Sequence, residues 1–384
     1  MDKVFFALIR SAITGEKSDA IPHSPLSEDA LAEWMTLAKK HDILHLLALA
    51  LTENRLVPPD DTRFRRYVLK SALRCERLSH TYDNLCRALE AAKIPFMPLK
   101  GSVLRKYYRE PWMRSSCDID VLVHKENADG AAAYLIEHCG YTYERTTAHD
   151  ISLFTPEKIH VELHFRLVSE DMVNKSSDVL ACVWDNALLK EGYSYLYEMP
   201  DAMFYFYHIA HMGQHMLQGG CGIRPFIDLF ILDRIEGVDT DGRRELLREA
   251  DLLTFTEACQ KLADVWFGEA SMDCAAERME NYILRGGVYG TLKNLDTVRA
   301  ARGETRLKSF LRIAFLPYDK LKTIYPTLDN HPLLFPFYQM KRWLRIFTKD
   351  KRKKVTRLTR IRNSVTNTEA ATVAALFSDI GLYR

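Results

Sequence analysis

Asp118, Asp120 and Glu162 are the residues whose type and spacing can do chemistry. In Asp118-Ile119-Asp120-Val121-Leu122-Val123 carboxylates and apolar side chains alternate at strand period, so both carboxylates leave one face of one strand. At roughly 3.3 Å rise per residue their Cα atoms lie about 7 Å apart, and the side chains can converge on a pair of divalent cations about 4 Å apart. Val161-Glu162-Leu163 repeats the pattern on a second expected strand and can supply a third carboxylate. Hard oxygen donors of this kind suit Mg²⁺, with Mn²⁺ as a substitute, because such ions complete their shells with water and substrate phosphate oxygens.

These carboxylates need elements to position them. The apolar run Phe96-Met97-Pro98-Leu99 ends in Lys100-Gly101-Ser102, which reads as a strand turning tightly into a helix start. Free N–H groups and the helix dipole favour phosphate there; Gly101 allows close approach, and the Ser102 hydroxyl can bond a β- or γ-phosphate. A plain capped turn would explain Gly-Ser equally well if the carboxylates were absent. Beyond Val123, a helix is expected over 126–139 with Gly140 as its stop, then short strands over 141–145, 151–155 and 159–163. On the last, His160, Glu162, His164 and Arg166 share one face. His164 is a candidate to stabilise the acceptor or the leaving group, and an exposed position suits it equally.

The order of strand, Gly-Ser turn, helix, Asp-x-Asp strand and later apolar-carboxylate-apolar strand resembles the nucleotidyltransferases of the DNA polymerase beta type. More closely, Leu99-Lys100-Gly101, Arg114 four residues before Asp118, and Val161-Glu162-Leu163-His164 resemble a bacterial group described as uncharacterised nucleotidyltransferases. The resemblance covers about residues 95–167. It implies an α+β fold with an α/β core: a small mixed nucleotidyltransferase sheet flanked by N-terminal and C-terminal helical regions. It also implies transfer of a nucleoside monophosphate from a nucleoside triphosphate such as ATP to an acceptor hydroxyl or phosphate, with pyrophosphate released. Asp118, Asp120 and Glu162 would hold two Mg²⁺ ions, Glu162 completing the nucleophile-side ion or acting as base. Lys100, Gly101, Ser102 and Arg114 would bind the nucleotide, Arg114 because an arginine stands there in the group and a guanidinium grips phosphate bidentately. A helical domain closes over base and acceptor in that family, which makes His211, Arg224 and Asp228 further candidates beside the plainer reading of an internal Arg-Asp pair. One departure is the longer stretch, 103–117, between Gly-Ser and the first Asp.

The surrounding chain is read as helical. A Ser27 cap, breaks at Pro58-Pro59 and a long helix over about 61–92 buttressing the sheet define an N-terminal region, 1–93. The core is expected at 94–170, a closing domain at 171–299 and a basic, aromatic region at 300–384, with Gly286-Gly287 and the polar stretch to Gly303 as a linker. His41 and His45 suit packing. His208, His211 and His215 share one helix face, where zinc is conceivable but no nearby ligand clearly completes a site.

With 47% apolar and 27% charged residues among 384, the composition is that of an ordinary globular protein. No apolar run reaches the length of a membrane span, and the apolar start is too brief for a signal peptide, so a cytoplasmic location is expected. Eight cysteines without a Cys-x-x-Cys pair argue against a zinc knuckle or a disulfide framework. The net charge of +2 hides an asymmetry: 17 Lys and Arg against 4 Asp and Glu lie between 300 and 362. That region could hold nucleic acid, which opens the alternative of an RNA-directed enzyme; it could equally be a solvated face or a membrane-surface stripe. A third reading is a non-catalytic nucleotide- or partner-binding protein that keeps the fold. The acceptor stays unidentified at this level.

Overall fold

The computed structural model describes residues 3–24, 26–58, 60–167, 173–287, 290–305, 308, 311, 314–346 and 364–382. It is an α+β protein: helices surround a small mixed sheet. The N-terminal helices are α1 (Lys3–Thr14), α2 (Glu28–Lys40), α3 (Leu44–Glu53) and α4 (Thr62–Ala91). Side chains cap two of their starts, Ser27 accepting from Ala30 N and Asp61 from Arg63 N.

The sheet runs β1 (Phe96–Pro98), β2 (Asp118–Val123), β5 (His160–His164), β4 (Asp150–Phe154), β3 (Thr142–Thr146) in spatial order. Only β2 and β5 pair in parallel; the other neighbours are antiparallel. The parallel pair needs a crossover, supplied by α6 (Ala128–Cys139) and the β3–β4 hairpin. Gly140 ends α6 with φ +68°, a left-handed stop that suits glycine.

The sheet has two faces and two apolar surroundings. Phe96, Ile119, Val121, Val161 and Leu163 pack with Leu78, Leu85 and Leu89 of α4 and Ala131 and Leu135 of α6. The long helix therefore does lie under the sheet, while its Leu69 and Leu73 are exposed. Met97, Leu99 and Leu122 turn the other way, into the larger core of the helical body. The carboxylates of β2 face that side, because they alternate with Ile119 and Val121.

The helical body continues through α7 (Ser176–Ala181), a small hairpin of β6 (Leu188–Leu189) and β7 (Tyr197–Glu198), then α8 (Asp201–Leu217), α9 (Arg224–Leu232), α10 (Thr240–Glu249), α11 (Leu253–Phe267) and α12 (Cys274–Gly286). The stretch read as a linker holds α13 (Leu292–Ala301), capped by Thr291 and burying only Thr297 and Val298. Its mostly polar surface hid it from periodicity. Then come α14 (Tyr318–Ile324), α15 (Phe335–Ile346) and α16 (Asn367–Asp379). The dense basic run from Lys349 to Arg362, and Arg306, Phe310 and Arg312 before it, lie outside the described residues. Among the described residues no helix is long and apolar enough to cross a membrane. All eight cysteines are free thiols.

Candidate functional site

The parallel pairing of β2 and β5 sets Asp120 directly beside Glu162, and Asp118 beside His160. His164, two residues beyond Glu162 on the same face, closes the group. Its Nε2 lies 3.0 Å from Asp120 Oδ1 and 3.2 Å from Glu162 Oε2. One ligand atom from each of Asp120, Glu162 and His164 falls within 4.8 Å of the others, a spacing that fits one divalent cation. Two carboxylates and an imidazole suit Mn²⁺ at least as well as Mg²⁺, since imidazole is a softer donor than water or carboxylate. Asp118 precedes this trio on the strand and is not one of the three.

Electrostatics separate the two aspartates. Burial alone would raise the Asp120 carboxyl, but the Lys100 charge and the His164 hydrogen bond outweigh it and hold the group well below the usual carboxylate range. Burial and then the Asp120 charge push Asp118 upward, so of the two it is the one that takes a proton first. For His164, burial opposes the charge, yet the hydrogen bonds to Asp120 and Glu162 prevail and carry it up to about 9. In the metal-free site this favours the imidazolium at neutral pH, and the side chain is 12% exposed, not the exposed position that the strand also allowed.

Lys100 reaches the same carboxylate from the other side, Nζ 3.8 Å from Asp120 Oδ2. It sits at the turn from β1 into α5 (Gly101–Leu104) with φ +39° and ψ −110°, a backbone geometry that costs a non-glycine residue of order 1–3 kcal/mol. Burial would lower its pKa, and the Asp120 charge reverses that. The turn is anchored by the Leu99 N–H donating to Asp120 O at 3.0 Å. Gly101 sits in a tight place: a Cβ there would stand 3.2 Å from Ser116 Cβ and Oγ, so Ser116 would have to give way by a few tenths of an ångström. The Ser102 hydroxyl is buried without a hydrogen-bond partner.

The remaining candidates gather around a cavity of ≈ 80 Å³ lined by Lys100, Arg114, His211, Arg224 and Asp228; the three carboxylates of the strands do not line it, and Lys100 alone joins it to Asp120. Arg114 is engaged within the protein, Nε donating to Asp228 Oδ1 at 2.7 Å and Nη1 to Ser115 O at 2.6 Å. Tyr108 Oη donates to the same Asp228 oxygen at 2.6 Å. An internal Arg-Asp pair thus exists, formed by Arg114, while Arg224 Nη1 pairs with Asp42 at 2.9 Å. The histidines of α8 do not form a three-ligand group: His211 and His215 meet at 3.1 Å between Nε2 atoms, and His208 Nε2 meets Pro225 O at 3.0 Å. His41 and His45 are buried and hydrogen-bonded to Ile223 N and Met113 O, as packing residues would be.

Tyr207 escaped the sequence reading. It lines the cavity, and burial raises its hydroxyl to about 12. Its place four residues before His211, on the same helix face, is the signal that would have found it. Asp42 and Ser115 had no such signal, since only the tertiary fold brings them to Arg224.

A sequence model described as uncharacterised nucleotidyltransferase matches residues 28–268, from α2 to the end of α11 and across every residue of this site. No curated protein and no solved structure matches the chain.

Proposed function

The chain belongs to the uncharacterised nucleotidyltransferase family, and from that premise we propose that it transfers a nucleoside monophosphate from a nucleoside triphosphate to an acceptor hydroxyl or phosphate. The observation that carries this reading is the pairing of Asp120 with Glu162 on adjacent parallel strands, closed by His164. Two Mg²⁺ or Mn²⁺ ions held by Asp118, Asp120 and Glu162 would neutralise the triphosphate and acidify the attacking oxygen, and His164 would join them as a ligand only on giving up the proton that the metal-free site holds on it.

The chain's own groups have separate tasks. The acceptor oxygen attacks the α-phosphorus, a new P–O bond forms as the bond to the β-phosphate oxygen breaks, and pyrophosphate leaves. A Glu162 carboxylate oxygen accepts the acceptor's proton. Lys100, beside Asp120 and lining the cavity, attracts the phosphate tail. The buried Ser102 hydroxyl has a free donor for a phosphate oxygen. Little covalent work falls to the protein, so positioning and charge neutralisation account for the rate.

The reading is tested with α-³²P-labelled nucleoside triphosphates, Mg²⁺ and a cell extract that supplies the acceptor. Wild-type protein is expected to label one acceptor class, and Asp120→Asn to reduce labelling at least about 100-fold while keeping the wild-type circular dichroism spectrum. An Asp120→Asn protein that labels at the wild-type rate overturns the reading.

A further inference from the structure

The cavity of ≈ 80 Å³ beside Lys100 has a wall that the nucleotidyl-transfer reading leaves largely unused. One water needs about 10–15 Å³, so the cavity holds roughly five to eight water-sized groups. A phosphate group fits that space and a whole nucleoside does not. The charges of the wall are one-sided. Lys100, Arg114 and Arg224 line it, and its only acid among the described residues, Asp228, is already spent. Arg114 Nε and Tyr108 Oη both donate to Asp228, at 2.7 Å and 2.6 Å.

Arg224 has hydrogen-bonding capacity to spare. Its Nη1 donates to Asp42 Oδ2 at 2.9 Å and to Ser115 O at 3.1 Å, yet its Nε is buried with no hydrogen-bond partner among the described residues. An unpaired buried donor on a charged group is costly, and a ligand oxygen in the cavity would satisfy it. Donors reach the wall from three elements: Lys100 from the turn between β1 and α5, Tyr207 from α8 and Arg224 from α9. That spread suits a tetrahedral phosphate, whose oxygens point in several directions, better than a planar carboxylate. The residues read as holding the triphosphate and its ions lie elsewhere. Gly101, Ser102, Asp118, Asp120 and Glu162 are absent from the wall, and only Lys100, with Nζ 3.8 Å from Asp120 Oδ2, is common to both places.

We propose that this cavity seats a phosphate group carried by the acceptor, which makes the acceptor a phosphorylated alcohol. The phosphate is a handle and not the nucleophile, because the carboxylates that would hold the activating ions do not line the cavity. A hydroxyl of the same molecule attacks the α-phosphorus of the nucleoside triphosphate, gives its proton to Glu162 and displaces pyrophosphate. The assignment to the acceptor rests on the nucleotidyl-transfer reading; the affinity of the cavity for phosphate does not.

Two arms test it. The first is equilibrium dialysis of the full chain against ³²P-labelled inorganic phosphate, with EDTA and without nucleotide. Wild type is expected to bind phosphate with a Kd of about 1 mM or tighter. Arg224→Gln should weaken binding at least about tenfold. Arg224→Lys keeps a cation for Asp42 but lacks the Nε donor, and should lose at least about threefold with an unchanged melting curve. Ser102→Ala should bind phosphate as wild type does. In the second arm a cell extract is treated with immobilised alkaline phosphatase, cleared of it, and given wild-type protein, Mg²⁺ and α-³²P-labelled nucleoside triphosphates. Labelling is expected to fall at least about tenfold against mock-treated extract. No phosphate binding by wild type, an Arg224→Lys protein that binds like wild type, or a loss at Ser102→Ala equal to that at Arg224→Gln overturns the pocket. Labelling that survives the phosphatase overturns the assignment to the acceptor. An extract that gives no label in either state counts against nucleotidyl transfer and takes that assignment with it, while the dialysis still decides the pocket.

Discussion

At the scale of single residues, the most informative atom is the Ser102 hydroxyl oxygen, buried without a partner in the first turn of α5. An unsatisfied buried polar group costs about 1–3 kcal/mol, so Ser102→Ala should leave the nucleotide-free protein as stable as wild type or raise its stability by roughly 1 kcal/mol. A hydroxyl kept for phosphate predicts the opposite for function: KM for the nucleoside triphosphate rising about tenfold. Thermal melting and initial-rate kinetics on the same variant read both signs. A variant that is destabilised and binds nucleotide normally returns Ser102 to the plain-turn reading. Position was legible where local pattern carried it: Asp118 and Asp120 stand on one strand and Glu162 on another, as alternation expects. Partners were less legible where long-range contact decides them: Arg114 is spent on Asp228, more than a hundred residues away, and no spacing in the chain announces that pair.

At the scale of elements, the apolar and polar pattern located the sheet strands to within about a residue, most clearly in β5, where buried Val161 and Leu163 alternate with half-buried neighbours; β3 is exposed along its whole length and was placed by the turns around it. Their order was beyond reach, since the β2–β5 adjacency that makes the site is set by the crossover and the faces buried, not by local propensity. The histidine row of α8 shows a similar limit. Its spacing was plain, but its protonation follows from burial. Burial, then the Lys100 charge, brings His215 down to about 4, and burial holds His211 well below its ordinary value. A histidine depressed in the folded state binds its proton more readily when unfolded, so the folded state is favoured above about pH 6.5 and loses ground as pH falls toward about 4. For His215 the loss between pH 7.5 and pH 5 amounts to about 2 kcal/mol. His215→Gln, which cannot take up that proton, should flatten the pH profile by this amount in urea unfolding. Identical profiles for variant and wild type would show that His215 titrates normally.

At the scale of the whole molecule, the family match ends at residue 268 but the main core does not. Leu376, Phe377, Ile380 and Leu382 are buried in it, and Phe377 meets the Tyr282 ring of α12 edge-on with centroids 5.4 Å apart. Asn174 Nδ2 donates to Gly381 O at 3.0 Å, Arg278 pairs with Asp379 at 2.6 Å, and Lys293 pairs with Glu369 at 2.6 Å. The capping box of Thr366 and Glu369 starts α16 where it can lie along α13. The chain leaves this body near Thr305 and rejoins it near Val365, and both residues line one surface pocket, so the two ends lie close together. Stability and the intervening segment are therefore separable. A chain ended after residue 365 gives up four buried apolar side chains, each worth about 1.5–3 kcal/mol, and should melt far lower or fail to fold. Replacing 306–363 by a short Gly-Ser linker removes many more residues, yet it leaves that core intact and should hold the melting temperature within a few degrees. Calorimetry on the two deletions settles the ranking, and a linker variant less stable than the truncation would mean that 306–363 contributes more to the fold than the C-terminal helix does.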